Sequence, residues 1–546
     1  TLYYKPVSYV KNNGYCSRPI DIERGIRQGC PVSCLLFVIA VEVMGHKIRQ
    51  DRDITGIRFP NCNKDVKILQ YADDGVVFLN DTNELEKLIE IVNEFGRLAG
   101  TLLNLSKCEG LWFGTFKERQ KNCKISGIKW PQEPIRCLGI FFGNDKEETY
   151  QLNWTKKLNG IKLLLQKWKT RELTLIGKIT IIKQLAIPKL LFPASMLYIP
   201  SNIVKDANEM FYEFLWGNRE FIKRTTLIAD INDGGLNMID LESLFISIKC
   251  SWAVRLLNAA DDEMWPIVAK YVYNLHKDDF LILRLNFTNS KKAAFVRRLP
   301  LFYQQVLVSF NKAKCLTHSH FCGTILDQPL WGNDLIICNT QHGKNMTLFM
   351  QEWINSGIVK IGNLRFVNGT MDENFVYQTV KKKTNILSEV CKLKKALKPY
   401  SNLIGNHEPE NDAYLPLFYH PNCMHDTFDD SKSNFFYRKL VDIKKSKPDR
   451  IQTYWINYFD IDVESFDNIY TRKVKRIKDK KMSEFNFKIL NNILPCNMNL
   501  LKWKRKDSDL CSLCNVPEDI PHMLYYCKYA RSIWDAINAK ANYMIQ

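Results

Sequence analysis

The pattern of apolar and polar positions divides the chain into a mixed first part and a largely helical remainder. Up to about residue 145, short β-type runs alternate with helical stretches. The first long helix is predicted at 33–50; it is apolar on most faces of its first half, so it is expected to be buried. From about 150 the helical period takes over, and one apolar stripe is formed by Leu158, Ile161, Leu164, Leu165 and Trp168.

The rest of the chain carries fewer diagnostic patterns. Beyond a Gly234-Gly235 break, the stretch 246–400 is predicted to be mainly helical, with aromatic anchors at Trp252, Trp265, Trp331 and Trp353. The polar stretch 401–434 is typical of a linker or a long loop. A basic helical region with several cysteines, 435–546, ends the sequence.

The charge balance adds a candidate partner. Lys and Arg number 77 against 58 Asp and Glu, a formal net charge of +19, which favours a polyanion such as nucleic acid. Many soluble proteins are basic without binding nucleic acid, so the charge alone does not decide. Basic residues cluster at 471–481 and 381–398, although either cluster is equally typical of a solvated helix face.

Composition narrows the class of protein. Hydrophobic residues make up 46% and charged residues 25%, the balance of a globular protein. The 17 cysteines are irregularly spaced, which favours a reducing compartment, so the nucleus and cytoplasm are the expected locations. The longest apolar run, 34–44, is interrupted by Glu42 and is shorter than the ~18 residues of a membrane span, so no membrane partner is expected. No targeting segment is visible, and the start at Thr1 within a strand-like stretch suggests a piece of a longer protein.

The densest chemical signal is KILQYADDGVVFL at 67–79. Two β-type runs flank Asp73, Asp74 and Gly75, which predicts a tight hairpin with adjacent carboxylates near its tip. Asp and Gly are also favoured in turns for purely local reasons, so the triplet alone is weak evidence. Nucleotidyl transfer, however, uses carboxylates to hold two Mg²⁺ ions ~3.5–4 Å apart, and a rigid hairpin would present them well.

Flanking segments strengthen that interpretation. Gly25 and Gly29 bracket Gln28 just before the long helix, where glycines allow a backbone to approach a nucleotide closely. Further on, Lys107 follows Gly100 and Asn104 and could neutralise a leaving phosphate. A further short hairpin is predicted at 135–143.

A second cluster lies near the end of the chain. Cys511 and Cys514 are followed by His522 and Cys527, four soft or borderline ligands at spacings that suit a closed tetrahedral Zn²⁺ site. Four protein ligands leave no open position, so the metal would be structural. The alternative is that buried cysteines and a hydrogen-bonded histidine fall here by chance. Basic residues at 502–506 precede the cluster and favour RNA or DNA contact.

In order and spacing, RGIRQGCPVS (24–33), YADD (71–74), GTLLNLSK (100–107) and CLGIFFG (137–143) resemble motifs B to E of reverse transcriptases. The YADD form, the helical block after it and the cysteine tail resemble non-LTR (LINE-type) retrotransposon enzymes. A group II intron maturase is another possible relative, but the long helical stretch and the cysteine tail disfavour it. The resemblance covers most of the chain, with 255–480 the least diagnostic part.

The resemblance implies roles for particular residues. Asp73 and Asp74 would be Mg²⁺ ligands of a two-metal site, and Lys107 would act near the pyrophosphate. Expected nucleotide or template contacts come from Arg24, Gly25, Gln28, Gly29 and Tyr71. The implied partners are an RNA template, a DNA primer or target, and deoxynucleoside triphosphates.

The sequence departs from the family pattern in three respects. Cys30 stands where many relatives have Asp, and Cys137 where Tyr is common. Reverse transcriptases also take a metal-binding Asp from a strand before motif B, and Asp21 lies too close to motif B for that role. The sequence is therefore expected to be a fragment without the endonuclease and early palm, inactive by itself, with Asp21 and Asp81 the substitutes to test. A non-catalytic nucleic-acid-binding relic is the alternative function.

The implied fold is α+β. A partial right-hand polymerase palm, with an antiparallel sheet and helices, is expected at 1–145 and a helical thumb at 146–245. A mostly helical connection, a linker and a basic helical region with a zinc-binding tail are expected at 246–400, 401–434 and 435–546.

Overall fold

The computed structural model of the protein describes most of the chain and divides it by internal contacts into two units. The first unit comprises residues 1–153 and 260–274, and the second comprises 154–259 and 275–546. The residues described are 4–545 except 23–24, 27–28, 60–64, 123–126, 218, 260–262, 264, 274–295, 297–298, 315–321, 324–325, 327–329, 332–335, 342–343, 349, 368–369, 381–384, 402–403, 405–414, 417–432 and 463–478.

Helices dominate the described residues. In chain order the α-helices are α1 (Pro31–Gln50), α2 (Thr82–Ala99), α3 (Lys146–Tyr150), α4 (Lys156–Lys169), α5 (Leu175–Ile181), α6 (Pro188–Met196), α7 (Ser201–Trp216), α8 (Arg224–Leu227), α9 (Leu241–Leu257), α10 (Trp265–Val272), α11 (Leu301–Lys314), α12 (Gln351–Asn355), α13 (Glu373–Thr379), α14 (Ile386–Leu397), α15 (Ser433–Lys444), α16 (Asp449–Phe459), α17 (Lys480–Leu490), α18 (Asn497–Lys502) and α19 (Lys528–Ile545).

The strands are short and antiparallel, so the α+β class is confirmed. They are β1 (Val7–Ser8), β2 (Lys11–Asn12), β3 (Tyr15–Cys16), β4 (Ile20–Asp21), β5 (Ile57–Arg58), β6 (Asp65–Val66), β7 (Ile68–Tyr71), β8 (Asp74–Val77), β9 (Ile135–Cys137), β10 (Ile140–Phe142), β11 (Cys322–Gly323), β12 (Ile337–Gln341), β13 (Lys344–Thr347), β14 (Phe366–Val367), β15 (Thr370–Met371) and β16 (Leu415–Pro416).

The expected antiparallel sheet is replaced, within the described residues, by separate two-stranded pairs. β1 pairs with β4 and β11 with β16, while the other strands pair with their neighbour in the chain. The strands are two to five residues long, and most find their partner across a short turn. The palm arrangement expected at 1–145 therefore stays a prediction.

Helix α1 forms where the apolar run predicts it, but it is not buried as expected. Pro31 occupies its first turn, where the missing N–H costs nothing. Leu35, Ile39 and Val43 are 66%, 66% and 64% exposed. One face packs on α2 and β7, and no described element covers the other. By length and composition alone α1 could cross a membrane, a criterion that core helices of soluble proteins also satisfy.

The core of the first unit joins α1 and α2 to the β7–β8 pair. It is built from four buried isoleucines: Ile48, Ile54, Ile68 and Ile91. Helix α2 begins at Asp81, whose carboxylate accepts the backbone N–H of Glu84, and ends at Gly100 with a φ of 67°. Both ends of α2 are therefore fixed by residues of its own sequence.

The second unit begins with the predicted helical stripe. Leu158, Ile161 and Leu165 are buried on one face of α4, which confirms the period inferred from sequence. The loop from α6 to α7 is held by side chains of α9 and α11. Lys249 Nζ donates to Leu197 O at 2.5 Å, and Gln305 Nε2 donates to Ile199 O at 2.9 Å. Burial lowers the pKa of Lys249 to about 7.

The region 246–400 departs in part from the helical expectation. It contains α9 to α14, but also the strands β11 to β15. Trp331 and Trp353 are fully buried, as predicted for aromatic anchors of this region. Their rings meet edge to face with centroids 5.7 Å apart. Most of the predicted linker 401–434 lies outside the described residues.

The carboxyl-terminal part packs on earlier helices of the second unit. Lys444 on α15 forms ion pairs with Asp240 at 2.7 Å and Glu242 at 2.8 Å. Glu484 on α17 accepts the backbone N–H of Leu175 at 3.2 Å, and so caps α5 from a distant part of the chain. The residues after 433 are therefore part of the same compact unit as α4 to α9.

Candidate functional site

The β7–β8 hairpin carries the predicted carboxylates. Tyr71 pairs with Asp74 in its ladder, so the turn consists of Ala72 and Asp73, and Gly75 lies within β8 opposite Gln70. The turn therefore comes earlier than the Asp-Gly pattern suggested. Ala72 has a φ of 53°, an uncommon conformation for a residue with a Cβ, and both Asp73 and Asp74 are exposed.

The base of the hairpin is fixed by packing and by a buried carboxylate. Ile68 and Val77 contribute to the isoleucine core of the first unit. Glu84 is 6% exposed, and its carboxylate accepts the backbone N–H of Asn80 at 2.9 Å and the hydroxyl of Thr55 at 2.5 Å. Because Asn80 follows the hairpin directly, Glu84 ties the hairpin's exit to the loop before β5.

A second hairpin lies beside the first. β9 and β10 pair as predicted for 135–143, with a turn at Leu138 and Gly139. The pKa of the Cys137 thiol is raised by burial and by the negative charge of Asp74, so the two hairpins are close enough to interact electrostatically. The side-chain amide of Asn153 hydrogen-bonds both the N–H and the C=O of Phe141.

Of the other predicted site residues, the structure describes four: Gly25, Gly29, Tyr71 and Lys107. Gly25 and Gly29 have φ values of 99° and 83°, which favour glycine at both positions. Arg24 and Gln28 lie outside the described residues. Tyr71 is 70% exposed at the end of β7. Lys107 is exposed at the end of the 3₁₀ turn Leu105–Lys107, and within the described part of the chain it forms no ion pair.

The predicted zinc ligands are brought together. A tight turn places Cys511 and Cys514 on one side: Cys511 N–H donates to Val516 O at 2.8 Å, and Asn515, with a φ of 54°, donates back to Cys511 O at 2.9 Å. The π-helical turn His522–Tyr526 follows, and Cys527 N–H donates to His522 O at 2.9 Å. The wide turn sets both ligands on one side of the chain.

The environment of Cys527 favours a thiolate, the form in which cysteine binds metal. Cys527 precedes α19, and the backbone N–H groups of Ala530 and Tyr529 donate hydrogen bonds to its sulfur, which lowers its pKa. Helix N-termini stabilise negative charge in this way.

The geometry of the four ligands fits a tetrahedral metal ion. Their ligand atoms all lie within 4.8 Å of one another, and Cys514 Sγ lies 3.6 Å from Cys527 Sγ. Zn–S bonds of about 2.3 Å give a tetrahedral edge of about 3.8 Å. His522 Nε2 is buried and has no hydrogen-bond partner among the described residues, as expected of a nitrogen that binds metal.

The metal cluster is joined to a small hydrophobic core. Trp455, Leu494, Cys496 and Ile520 are buried together, and Met523 and Leu524 from the π turn pack against them. Trp455 Nε1 donates to Leu490 O at 2.9 Å. The cluster thus connects α19 to a core shared by α16, α17 and α18.

Comparison with known proteins finds matches over the segments that carry the two candidate sites. Residues 2–142 match the family described as reverse transcriptase (RNA-dependent DNA polymerase), and residues 452–534 match the family described as zinc-binding in reverse transcriptase. Two relatives come from transposable elements. An uncharacterized 149 kDa protein of transposon TX1 from Xenopus laevis is 24% identical over 343 residues. The Pol polyprotein of the type-1 retrotransposable element R2 from Popillia japonica is 24% identical over 251 residues.

Two segments of the chain are thus similar to reverse transcriptases, and both relatives are proteins of transposable elements, which is consistent with a non-LTR retrotransposon reverse transcriptase. The alignments cover 61% and 42% of the chain but only 26% and 32% of the TX1 and R2 proteins, so the chain spans about a quarter to a third of these relatives. Zinc binding by residues 511–527 is supported both by the matched family and by the clustered ligands.

The sequence pattern did not reveal Glu84 as a support of the YADD hairpin. Asp81 followed three residues later by Glu84 is a signal for a helix start, and it could have located α2. It could not have revealed Thr55 as a partner, because that contact joins residues 29 positions apart.

Replacing Glu84 with alanine should destabilise the first unit by about 2–4 kcal/mol, because Thr55 and Asn80 would lose a buried acceptor. Glu84→Gln retains one acceptor oxygen and should cost less. Urea unfolding of the purified chain measures the stability loss of each variant, and hydrogen exchange of residues 67–79 shows whether the hairpin is affected. Glu86→Ala on the exposed side of α2 is the matched control. Equal stability of Glu84→Ala and the control would show that Glu84 does not support the hairpin.

Proposed function

We propose that the protein containing this chain is an RNA-directed DNA polymerase of a LINE-type element. The observation that carries the proposal is the YADD hairpin, which exposes Asp73 and Asp74 at its tip within the segment that matches reverse transcriptases. Two adjacent, solvent-exposed carboxylates on a supported turn suit the oxygen ligands that Mg²⁺ requires.

The chemistry is nucleotidyl transfer from a deoxynucleoside triphosphate to a primer 3′-hydroxyl. When bound, Mg²⁺ would lower the pKa of that hydroxyl and would neutralise charge on the leaving pyrophosphate. Asp73 and Asp74 supply ligands from one hairpin, and a complete two-metal cage also needs a carboxylate from another strand. Asp21 and Asp81 are the substitutes to test in this chain, although Asp81 is already engaged as the N-cap of α2.

Other residues would orient the substrates. Gly25 and Gly29, with Arg24, Gln28 and Tyr71, would line the nucleotide and template pocket, and Lys107 would stabilise the pyrophosphate. The β9–β10 hairpin, beside Asp74, would press on the primer backbone. In this proposal residues 1–145 are palm, the helices of 146–245 are a thumb, and the zinc tail is a structural module.

The proposed partners are an RNA template and a DNA primer or target. The net charge of +19 supports a polyanionic partner, because each neutralised phosphate releases counterions. We place the protein in the nucleus and cytoplasm, where a thiol-rich chain stays reduced.

Primer extension tests the proposal. The full-length protein is mixed with a DNA primer annealed to an RNA template, the four deoxynucleoside triphosphates and Mg²⁺. The expected result is complementary DNA that requires the RNA template and disappears with a chelator. Tight RNA binding without any DNA synthesis by the full-length protein would reject the proposal in favour of a non-catalytic nucleic-acid-binding relic.

A further inference from the structure

Between Lys107 and β9 the chain forms a long loop that is closed at its base and that lies between two of the polymerase-like motifs. Its two ends are hydrogen-bonded to each other: Gly110 N–H donates to Lys129 O at 2.8 Å, and Lys129 N–H donates to Cys108 O at 3.1 Å. We call its described residues, 108–122 and 127–131, the aromatic lobe. It starts directly after one predicted substrate-binding residue and ends just before the hairpin beside Asp74.

A buried glutamine holds the lobe together. Gln120 is 5% exposed; its Oε1 accepts the N–H of Trp112 at 2.8 Å, and its Nε2 donates to Gly110 O at 3.0 Å and Pro131 O at 2.6 Å. A Cβ at Gly110 would lie 2.5 Å from the ring of Trp130, so the ring lies directly on the backbone. The lobe is thus internally supported.

The lobe displays aromatic rings together with an arginine. Trp112 stacks on Trp130 with centroids 5.8 Å apart and planes 19° apart, and Phe116 meets Trp112 edge to face at 6.2 Å. The guanidinium of Arg119 lies 4.4 Å from the centroid of Phe116. Phe113 is 54% exposed and Phe116 is 43% exposed. Phe113 and Phe116 are therefore exposed at the surface near Arg119 and are not packed into a hydrophobic core.

We propose that the aromatic lobe binds unpaired nucleotides of a nucleic-acid strand next to the polymerase site. Bases stack on Phe113 and Phe116, and Arg119 contacts the phosphates. This surface rests on the proposed function, because a copying enzyme must handle strands that are not paired. Single-strand binding surfaces combine exposed aromatic rings, which accept the face of any base, with positive charge that follows the backbone.

The charges favour a nucleic acid over an apolar protein surface. Lys117 and Lys129 are exposed on the same lobe as Arg119, against the exposed acids Glu109 and Glu118, so the balance of these charged side chains is positive and Arg119 is the cation placed at the rings. A duplex is disfavoured because its base faces are already stacked and cannot reach Phe113 or Phe116. The lobe is linked to the second hairpin by Asn144, whose Nδ2 donates to Trp112 O at 2.7 Å. A strand on the lobe would therefore run beside the β9–β10 hairpin.

The test uses the full-length protein and a single-stranded oligonucleotide that contains 2-aminopurine, a base whose fluorescence falls when it stacks. The Phe113→Ala, Phe116→Ala double variant should bind this strand about tenfold more weakly and lose the quenching, without changing the salt dependence of binding. Arg119→Ala should reduce the salt slope by about one phosphate contact. Tyr15→Ala, which removes an exposed ring elsewhere in the first unit, is the control.

Wild-type affinity and quenching in the double variant would overturn the proposal, as would an equal loss of duplex and single-strand binding. If the double variant unfolds, Phe113→Leu with Phe116→Leu keeps the apolar volume while removing the rings, and the same two readouts decide. Stacking is measured without catalysis. Failure of the proposed polymerase would appear as absent synthesis with the quenching intact, and failure of the lobe as normal synthesis with no effect of the ring variants.

Discussion

Replacing Asp73 or Asp74 with asparagine should lower Mg²⁺-dependent primer extension by the full-length protein by a factor of at least about 100. Asparagine preserves the shape of the side chain but removes the charge that attracts Mg²⁺, so metal affinity at the hairpin tip falls. The effect should be larger on the rate of nucleotide addition than on substrate affinity, because the metal charge is needed most in the transition state.

RNA binding should stay nearly unchanged in the same variants. Both carboxylates are exposed and lie in or next to a turn, so their loss leaves the isoleucine core beneath the hairpin intact. Glu86→Gln removes one exposed negative charge from α2 of the same unit and should retain full activity. Full extension by Asp73→Asn or Asp74→Asn would exclude that residue from the metal site.

The parts of the hairpin site that depend on local sequence could be predicted. Alternating apolar residues and adjacent carboxylates determine a hairpin with an exposed tip, and β7 and β8 form there. The position of the turn was missed because Ala72, not a glycine, adopts the positive φ. Turn preferences favour Gly or Asn at such positions, so a residue held there by its surroundings gives no sequence signal.

Contacts between distant segments could not be predicted from periodicity. The pattern showed that α1 is apolar, but burial depends on which elements cover it, and the described residues cover only one face. The roles of Glu84 and Gln120 depend on partners brought close by folding. A buried polar residue with several hydrogen-bond partners cannot be told from a surface residue by sequence, because the sequence does not show which groups will be its partners.

The zinc cluster is the site for which sequence was most informative. Its four ligands lie within 17 residues, from Cys511 to Cys527, so spacing alone restricts their geometry. The structure adds the π turn at His522 and the thiolate-stabilising position of Cys527 before α19. It also adds the contact with Trp455, which sequence could not indicate.

Removing zinc should unfold the carboxyl-terminal part of the chain. The purified 546-residue chain should contain about one Zn²⁺, and a strong chelator should release it and expose backbone amides between 496 and 545 to hydrogen exchange. Few residues form the adjoining core, and α19 is exposed along most of its length. Structural zinc supplies on the order of 10 kcal/mol of folding free energy, which such a small core cannot replace.

Cys511→Ser should have the same effect as the chelator in the absence of any chelator, because it removes one of only four ligands in the proposed site. Cys391→Ser, which changes an exposed cysteine far from the cluster in sequence, should leave zinc content and exchange unchanged. Acidification should also release the metal, because protons compete with it for the cysteine thiolates. A tail equally protected from exchange with and without metal, or a Cys511→Ser chain that keeps its zinc, would show that the four residues are packed together for reasons other than metal binding.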